Sequence, residues 1–495
     1  MNLPPPDPEK LLLREELVQQ LLRTLPPEQV IHRYEDLIVY ECDALSAYRQ
    51  QPMAVVLPAS TDEVAAAVRV CAGLGIPIVP WGAGTGLSGG ALPRPDGVVI
   101  SLARMNRILE VDLDNATATV EPGVTNLAVS NAVRADGFYY APDPSSQLAC
   151  TIGGNVAENA GGVHCLKYGT TTNNVLGLEM VLADGEIVEI GGKAMDRCGY
   201  DLLALMTGSE GLLGIITKAT LRLLRRPELA RTVMAVYDSV ETAGQAVADI
   251  IAAGMVPAGM EIMDRLAIEA VEDFLGCGYP RGVESLLLVE LDGSIAEVEA
   301  HADHLEQLLQ ESGASQIRLA KTEEERQSLW AGRKAAFPAM GRLTPDYYCM
   351  DGTIPRGRLA EVLGRIQELS QKYDLAVANV FHAGDGNLHP LILYDGNEAG
   401  QLARAEAFGA EILQLCVKVG GVLSGEHGIG IEKRDLMSCM FSDADLDAQE
   451  GIKAAFDPGN ILNPGKVYPV LRRCIEGGQM HVHGGELPFP DLERF

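Results

Sequence analysis

The chain has 495 residues, enough for roughly two to four domains. Its composition, 47% hydrophobic and 22% charged with 53 Gly and 27 Pro, excludes collagen-like and disordered classes and suits an α/β protein with many working loops. With 68 acidic against 39 basic residues the formal charge is -29, a field that repels nucleic acid and bare anionic membrane, so an anionic substrate would need that field reversed locally by a buried Arg or a metal cation.

In chain order, residues 9–23 carry the leucine spacing of an amphipathic helix that Pro26-Pro27 stops, so 1–52 is expected as a packing arm. The first residues are proline-rich and then acidic, unlike a signal peptide, which points to a cytoplasmic protein. From Ala54 short strands alternate with helices: a strand at 55–57, a helix opened by the capping box Ser60…Glu63, then a strand at 76–80. Further strands are expected at 97–102, 108–112 and 117–121, and Ala183-Asp184-Gly185 turns a hairpin between 178–181 and 187–190. This first domain, 53–228, ends at Arg225-Arg226-Pro227. A second α/β series follows, with strands at 232–237, 258–263 and 285–291 and helices at 241–253, 264–275 and 297–310. It belongs to a domain over 229–470, beyond which 471–495 lacks periodicity and reads as a surface tail. The ten cysteines form no C-x-x-C pair, unlike iron–sulfur or structural zinc spacing, and read as reduced core residues.

The stretch Trp81-Gly82-Ala83-Gly84-Thr85-Gly86-Leu87-Ser88-Gly89-Gly90 follows a strand and formally matches G-x-G-x-x-G. A Rossmann loop must run directly into a helix, and Pro93 and Pro95 forbid one here. Interleaved with Thr and Ser, the glycines instead suit a backbone nest whose N–H groups wrap a pyrophosphate. A second segment contains Pro142, Asp143, Ser146, Thr151, Gly154, Asn155, Asn159 and Gly161, lacks bulky groups, and offers a surface for a flat cofactor.

The densest chemistry is His382-Ala383-Gly384-Asp385-Gly386-Asn387-Leu388-His389 together with Gly425-Glu426-His427-Gly428. Asp385-Gly386-Asn387 is turn chemistry that can fold the chain back, so that His382 and His389 face one point, with Glu426 completing the set. Two imidazoles and one carboxylate leave coordination positions open, as in a catalytic Zn²⁺ or Fe²⁺/Mn²⁺ site, whereas a structural zinc is closed by four ligands. The bland alternative is loop histidines that merely hydrogen-bond; His481 and His483 in the tail are a weaker pair.

The two glycine-rich segments, with Gly208-Ser209-Glu210-Gly211 and Ile215-Ile216-Thr217 as a third element, resemble the FAD-binding domain of the vanillyl-alcohol oxidase flavoprotein superfamily. The resemblance implies an α+β fold: a PCMH-type FAD-binding domain of two α/β subdomains, then a ferredoxin-like α/β substrate (cap) domain and a C-terminal helical segment. It implies that the first loop binds the FAD pyrophosphate and that the second lies along the isoalloxazine. Glu210, Gly211 and Ile216 belong to the third element. Ala91 stands where covalent relatives often have His, so the implied FAD is non-covalent.

The His/Glu motifs, with Asn463-Pro464-Gly465-Lys466, further resemble the D-2-hydroxy-acid dehydrogenase branch, which includes D-lactate and D-2-hydroxyglutarate dehydrogenases and flavin subunits of glycolate oxidases. That resemblance implies His382, His389 and Glu426 as metal ligands, Asn387 as a substrate contact, His427 as the base and Asn463 closing over the flavin. It favours Arg333 as the substrate's carboxylate clamp over a surface arginine paired with Glu323 to Glu325. Relatives that take dicarboxylates carry a Thr and a Lys where Phe337 and Cys349 stand here. A monocarboxylate such as glycolate or D-lactate is therefore expected, because apolar Phe and neutral Cys cannot balance a second buried charge. Electrons would leave to companion flavin-domain and iron–sulfur subunits or a quinone, and through such partners the protein could sit peripherally on the inner face of the membrane. A free-standing D-lactate or D-2-hydroxyglutarate dehydrogenase, and a flavin scaffold that only relays electrons, are the alternative readings.

Overall fold

The computed structural model describes residues 3–194 and 199–469; the tail, with His481 and His483, and two cysteines, Cys198 and Cys474, lie outside them. The arm forms helices Pro8–Leu12 and Arg14–Thr24, and Leu17, Val18 and Leu21 pack into the core of the first sheet. That sheet orders strands Val30–Ile31, Ala54–Val56, Val98–Ser101 and Ile78–Trp81, the last three parallel. Helix Thr61–Leu74 crosses between them, started by Ser60, whose Oγ accepts from Glu63 N at 3.3 Å, and stopped by Gly75 at φ 64°.

The second subdomain is a five-stranded antiparallel sheet ordered Ile108–Asp112, Thr117–Val120, Ile215–Arg222, Val175–Val181 and Ile187–Gly191. The hairpin expected around Gly185 is its edge pair, with Val181 opposite Ile187. Sequence patterning missed the centrality of Ile215–Arg222, whose partners lie far away in the chain and are set by burial rather than by a local turn.

All seven strands of the substrate domain form one antiparallel sheet, ordered Gln316–Leu319, Leu229–Tyr237, Ser285–Gly293, Gly259–Asp264, Val377–His382, Pro390–Tyr394, Asp346–Cys349. The first four, with helices Val240–Ala252, Arg265–Leu275 and Ile295–Glu311, make the ferredoxin-like order. The remaining three extend the sheet from the Gly259–Asp264 edge and carry the histidine motif. Apolar side chains fill both faces, Val233, Ile262, Leu287 and Phe381 on one and Met234, Met263, Leu288 and Val380 on the other.

After helix Asp443–Phe456 the chain returns to the first sheet: Ile78 N donates to Ile461 O and Asn463 N to Ile78 O, both at 2.7 Å. This places Asn463-Pro464-Gly465-Lys466 against the glycine loop.

Candidate active site

A cavity of about 470 Å³ lies where the glycine loop, the 144–160 segment and the substrate domain meet, within the size range of cofactor sites. Of the expected cofactor residues, Trp81, Gly82, Ala83, Gly84, Thr85, Gly86, Leu87, Ser146, Thr151, Gly154, Asn155, Glu210, Gly211, Ile216 and Asn463 line it. The loop makes no helix, and Gly84 sits at φ 67° with its α-carbon so close to the indole that a Cβ would lie 2.6 Å from the Trp81 ring. Asn463 Nδ2 donates to Gly90 O at 3.0 Å and to Glu210 O at 2.7 Å, tying three cavity segments together.

Five expected residues shape this wall from behind instead of lining it. Ser88 O accepts from Ile431 N and Glu432 N, and Pro142 O accepts from Asn126 Nδ2. Asp143 holds His164 at 2.9 Å, Asn159 ends helix Ile152–Glu158 in a left-handed turn, and Gly161 presses on Glu426, whose Oε2 would lie 2.8 Å from a Cβ there.

The cavity is lined as well by His389, Glu426 and His427, and by Phe337 and Lys334. His382 ends one strand, His389 immediately precedes the next, and Gly386 at φ 83° turns the chain between them while His382 N donates to Asn387 O at 3.0 Å. The Nε2 atoms of His382 and His389 each lie 3.3 Å from Glu426 Oε1. Two donors about 2.1 Å from one cation stand about 3.0–3.4 Å apart for right-angled to tetrahedral geometry, so the three side chains fit a divalent ion. Both His389 ring nitrogens and Asn387 Oδ1 are buried without a hydrogen-bond partner among the described residues, as donors waiting on a ligand would be.

Two carboxylates that sequence reasoning missed organise this cluster. Glu261, on the neighbouring strand, receives His382 Nδ1 at 2.7 Å on one oxygen and Arg333 Nε at 2.6 Å on the other. Asp351 accepts from the backbone N–H groups of Gly425 at 2.8 or 3.2 Å by its main-chain or side-chain oxygen, of Glu426 at 3.1 Å and of His427 at 2.9 Å. It thereby cradles the loop that presents ligand and base. Their only sequence signal was placement: Asp351 opens the stretch Asp351-Gly352-Thr353-Ile354-Pro355, and Glu261 is a charge amid an apolar strand.

The electrostatics separate the histidines. Burial pushes the His382 imidazole down, but Glu261 and Glu426 outweigh it and hold it well above its ordinary value. Burial raises the Glu426 carboxyl, yet His382, His389 and His427 bring it to about 2. Burial lowers His427 to about 4, with His389 and Lys433 reinforcing it against Asp351. His427 is thus neutral at physiological pH, and its Nδ1 is without a hydrogen-bond partner among the described residues.

Arg333 is not a surface residue: it is 1% exposed and bound to Glu261, while Arg326 pairs with Glu323. It also does not line the cavity, and neither do His382 and Asn387, which stand behind His389 and Glu426. Lys334, the next residue, does line it and is exposed. Phe337 packs edge-on against His389 at 6.1 Å, whereas Cys349 is buried in its strand away from the cavity. His164, which belongs to neither histidine motif, bridges Asp143 at 2.9 Å to Glu290 at 3.3 Å across the two domains.

Two protein-family models match the chain: an FAD binding domain over residues 52–191 and the C-terminal domain of FAD linked oxidases over 226–467. The glycolate oxidase subunit GlcD of Escherichia coli K12 is 55% identical over 482 residues, covering 97% of each chain. A D-lactate dehydrogenase of Archaeoglobus fulgidus is 39% identical over 419 residues, 83% of this chain and 90% of that protein. Among solved structures, 4-ethylphenol oxidase from Gulosibacter chungangensis superposes with a TM-score of 0.78 at 19% identity, over 94% of this chain and 98% of that one, and p-cresol methylhydroxylase with 0.77 at 18%. The fold is therefore the expected PCMH-type architecture, and with GlcD subunits among its relatives the chain belongs to the FAD-linked oxidases.

Proposed function

We propose that the chain oxidises a small 2-hydroxy monocarboxylate to the 2-oxo acid, glycolate to glyoxylate foremost and D-lactate to pyruvate alongside. The carrying observation is His427 beside the His382, His389 and Glu426 cluster, on the wall of the cavity that the glycine loop also lines. FAD, on the family likeness non-covalent because Ala91 stands where covalent relatives often have His, would supply the acceptor for the C2 hydride. His382, His389 and Glu426 would hold a Zn²⁺ or Fe²⁺/Mn²⁺ ion, which would supply a Lewis acid for the substrate hydroxyl.

His427 takes the hydroxyl proton, a role that needs its imidazole neutral and within reach of the substrate. Asp351 fixes the backbone of that loop so that base and ligand keep their spacing. Asn387, by the family likeness a substrate contact, stands behind the cavity wall with its Oδ1 unpartnered among the described residues. Arg333 supports its carboxylate side, held by Glu261. Phe337 limits the pocket and favours monocarboxylates, since a second carboxylate buried against a phenyl ring would be unpaired.

GlcD is named as a glycolate oxidase subunit, and on that likeness electrons pass to companion flavin-domain and iron–sulfur subunits and on to a quinone, with the assembly peripheral to the membrane. Among the described residues no helix is long and apolar enough to cross a membrane. A free-standing D-lactate dehydrogenase is the second reading, favoured by the Archaeoglobus relative.

The test is anaerobic bleaching of the flavin band of the purified chain with glycolate, D-lactate, L-lactate and D-2-hydroxyglutarate, with and without chelator. Fast, chelator-sensitive bleaching by glycolate or D-lactate is expected. A flavin that no hydroxy acid reduces would leave an electron-relay subunit.

A further inference from the structure

Glu158 ends helix Ile152–Glu158 and lines the flavin cavity. It is wedged between two glycines: a Cβ on Gly90 would lie 2.8 Å from its Oε1, and a Cβ on Gly428 2.2 Å from its Oε2. Gly90 closes the glycine loop, and Gly428 follows the base His427. The acid therefore stands on the cavity wall between the glycine loop and the loop that carries His427.

Its Oε2 is buried and has no hydrogen-bond partner among the described residues. The charged groups around it are engaged elsewhere. Glu210 places one oxygen on Ile429 N and the other on Gly430 N, both at 2.7 Å. Lys466 donates to Gly90 O and Leu92 O, and Lys433 to Gly428 O with Glu432 3.0 Å away. Asp43 accepts from Leu45 N and Ala91 N. Burial first, then the nearby Glu210 and Asp43, raise the Glu158 carboxyl well above the usual range, and Lys433 and Lys466 only partly offset them. A neutral carboxyl carries one O–H donor, and a buried donor without an acceptor is costly.

We propose that Glu158 is a neutral carboxylic acid that donates its hydrogen bond to an acceptor atom of the bound flavin. This rests on FAD occupying the cavity and not on which hydroxy acid is oxidised. Glu158 lies within the second glycine-rich segment but is not among the cofactor residues expected from it, and it ties the flavin to the loop that carries the base. The step is a hydrogen bond only; no proton is transferred.

The experiment compares FAD binding by E158Q, which keeps a donor, with E158M, of similar size and without one, in the full chain. The readouts are the FAD Kd and the visible spectrum of the bound flavin. Expected are a Kd within a few-fold of wild type for E158Q and about tenfold or more weaker binding for E158M, with a shifted flavin band. E158M binding FAD as wild type does, or E158Q losing as much as E158M, would overturn the proposal. Should E158M fail to fold, judged by melting of the apoprotein, the pH dependence of the Kd decides. Wild-type affinity should fall as rising pH removes the Glu158 proton, with E158Q lacking that limb; Glu210, Asp43, Lys433 and Lys466 are common to both proteins and cancel. Parallel curves would refute the donor. Unchanged wild-type FAD binding together with no hydroxy-acid oxidation would sink the functional reading while leaving this one standing.

Discussion

Glu261 and His382 face each other as a directly opposed pair on neighbouring antiparallel strands, with Oε1 of the acid 2.7 Å from Nδ1 of the imidazole. The sheet register thereby aims Nε2 of His382 at Glu426, and Glu261 also anchors Arg333. Glu261→Gln should weaken divalent-ion affinity about 10–100-fold while the protein stays folded, as measured by chelator competition. Glu261→Ala also strands a buried Arg333 and should cost about 3–5 kcal/mol in denaturant unfolding. Metal affinity equal to wild type in both variants would remove Glu261 from the site.

His427→Asn should retain FAD and slow anaerobic flavin bleaching by glycolate about 10²–10⁴-fold. Because burial, His389 and Lys433 hold the wild-type imidazole down at about 4, the bleaching rate should be level across neutral pH and fall only as the pH nears that value. Stopped-flow traces over a pH series check both; a midpoint near neutrality would assign the base elsewhere.

Among the described residues Lys334 is the one Lys or Arg side chain lining the cavity, in a chain of formal charge -29. Lys334→Gln should lower kcat/KM for glycolate about tenfold at low salt with little change in kcat, because the charge attracts the anion before chemistry begins. The gap should close at about 1 M salt, where the screening length is about 3 Å. A salt-independent loss would make Lys334 a direct contact instead.

The Asp143–His164–Glu290 bridge joins the flavin-side segment to the substrate domain and should make stability pH-dependent. Burial opposes the His164 charge, but Asp143 and Glu290 raise its pKa to about 10; burial opposes the Glu290 charge, but His164 and Arg326 lower it to about 2. A raised His contributes fully below its unfolded value of about 6.5 and loses that contribution as pH rises toward 10, and a depressed Glu contributes fully above about 4.3 and loses it as pH falls toward 2. The Tm deficit of His164→Gln should therefore be largest at about pH 4.5–6.5 and shrink on both sides. A deficit flat with pH would show that His164 acts by shape alone.

Local chemistry in the chain was enough to read the first sheet's strands, the helix capped by Ser60, the hairpin at Gly185 and the absence of a Rossmann helix after Gly89, because each is dictated by neighbours within a few residues. The His382 and His389 turn was legible for the same reason: Asp385-Gly386-Asn387 can only reverse the chain. Glu261, Asp351 and Glu158 were not, because each acts on residues 68 or more positions away, where sheet register and loop packing decide the neighbours. Arg333 shows the division most plainly. Its side-chain type announced a carboxylate partner, but only burial decided that Glu261 lies within its reach and that Lys334 faces the cavity, since one residue's step around a helix turns a side chain by about 100°.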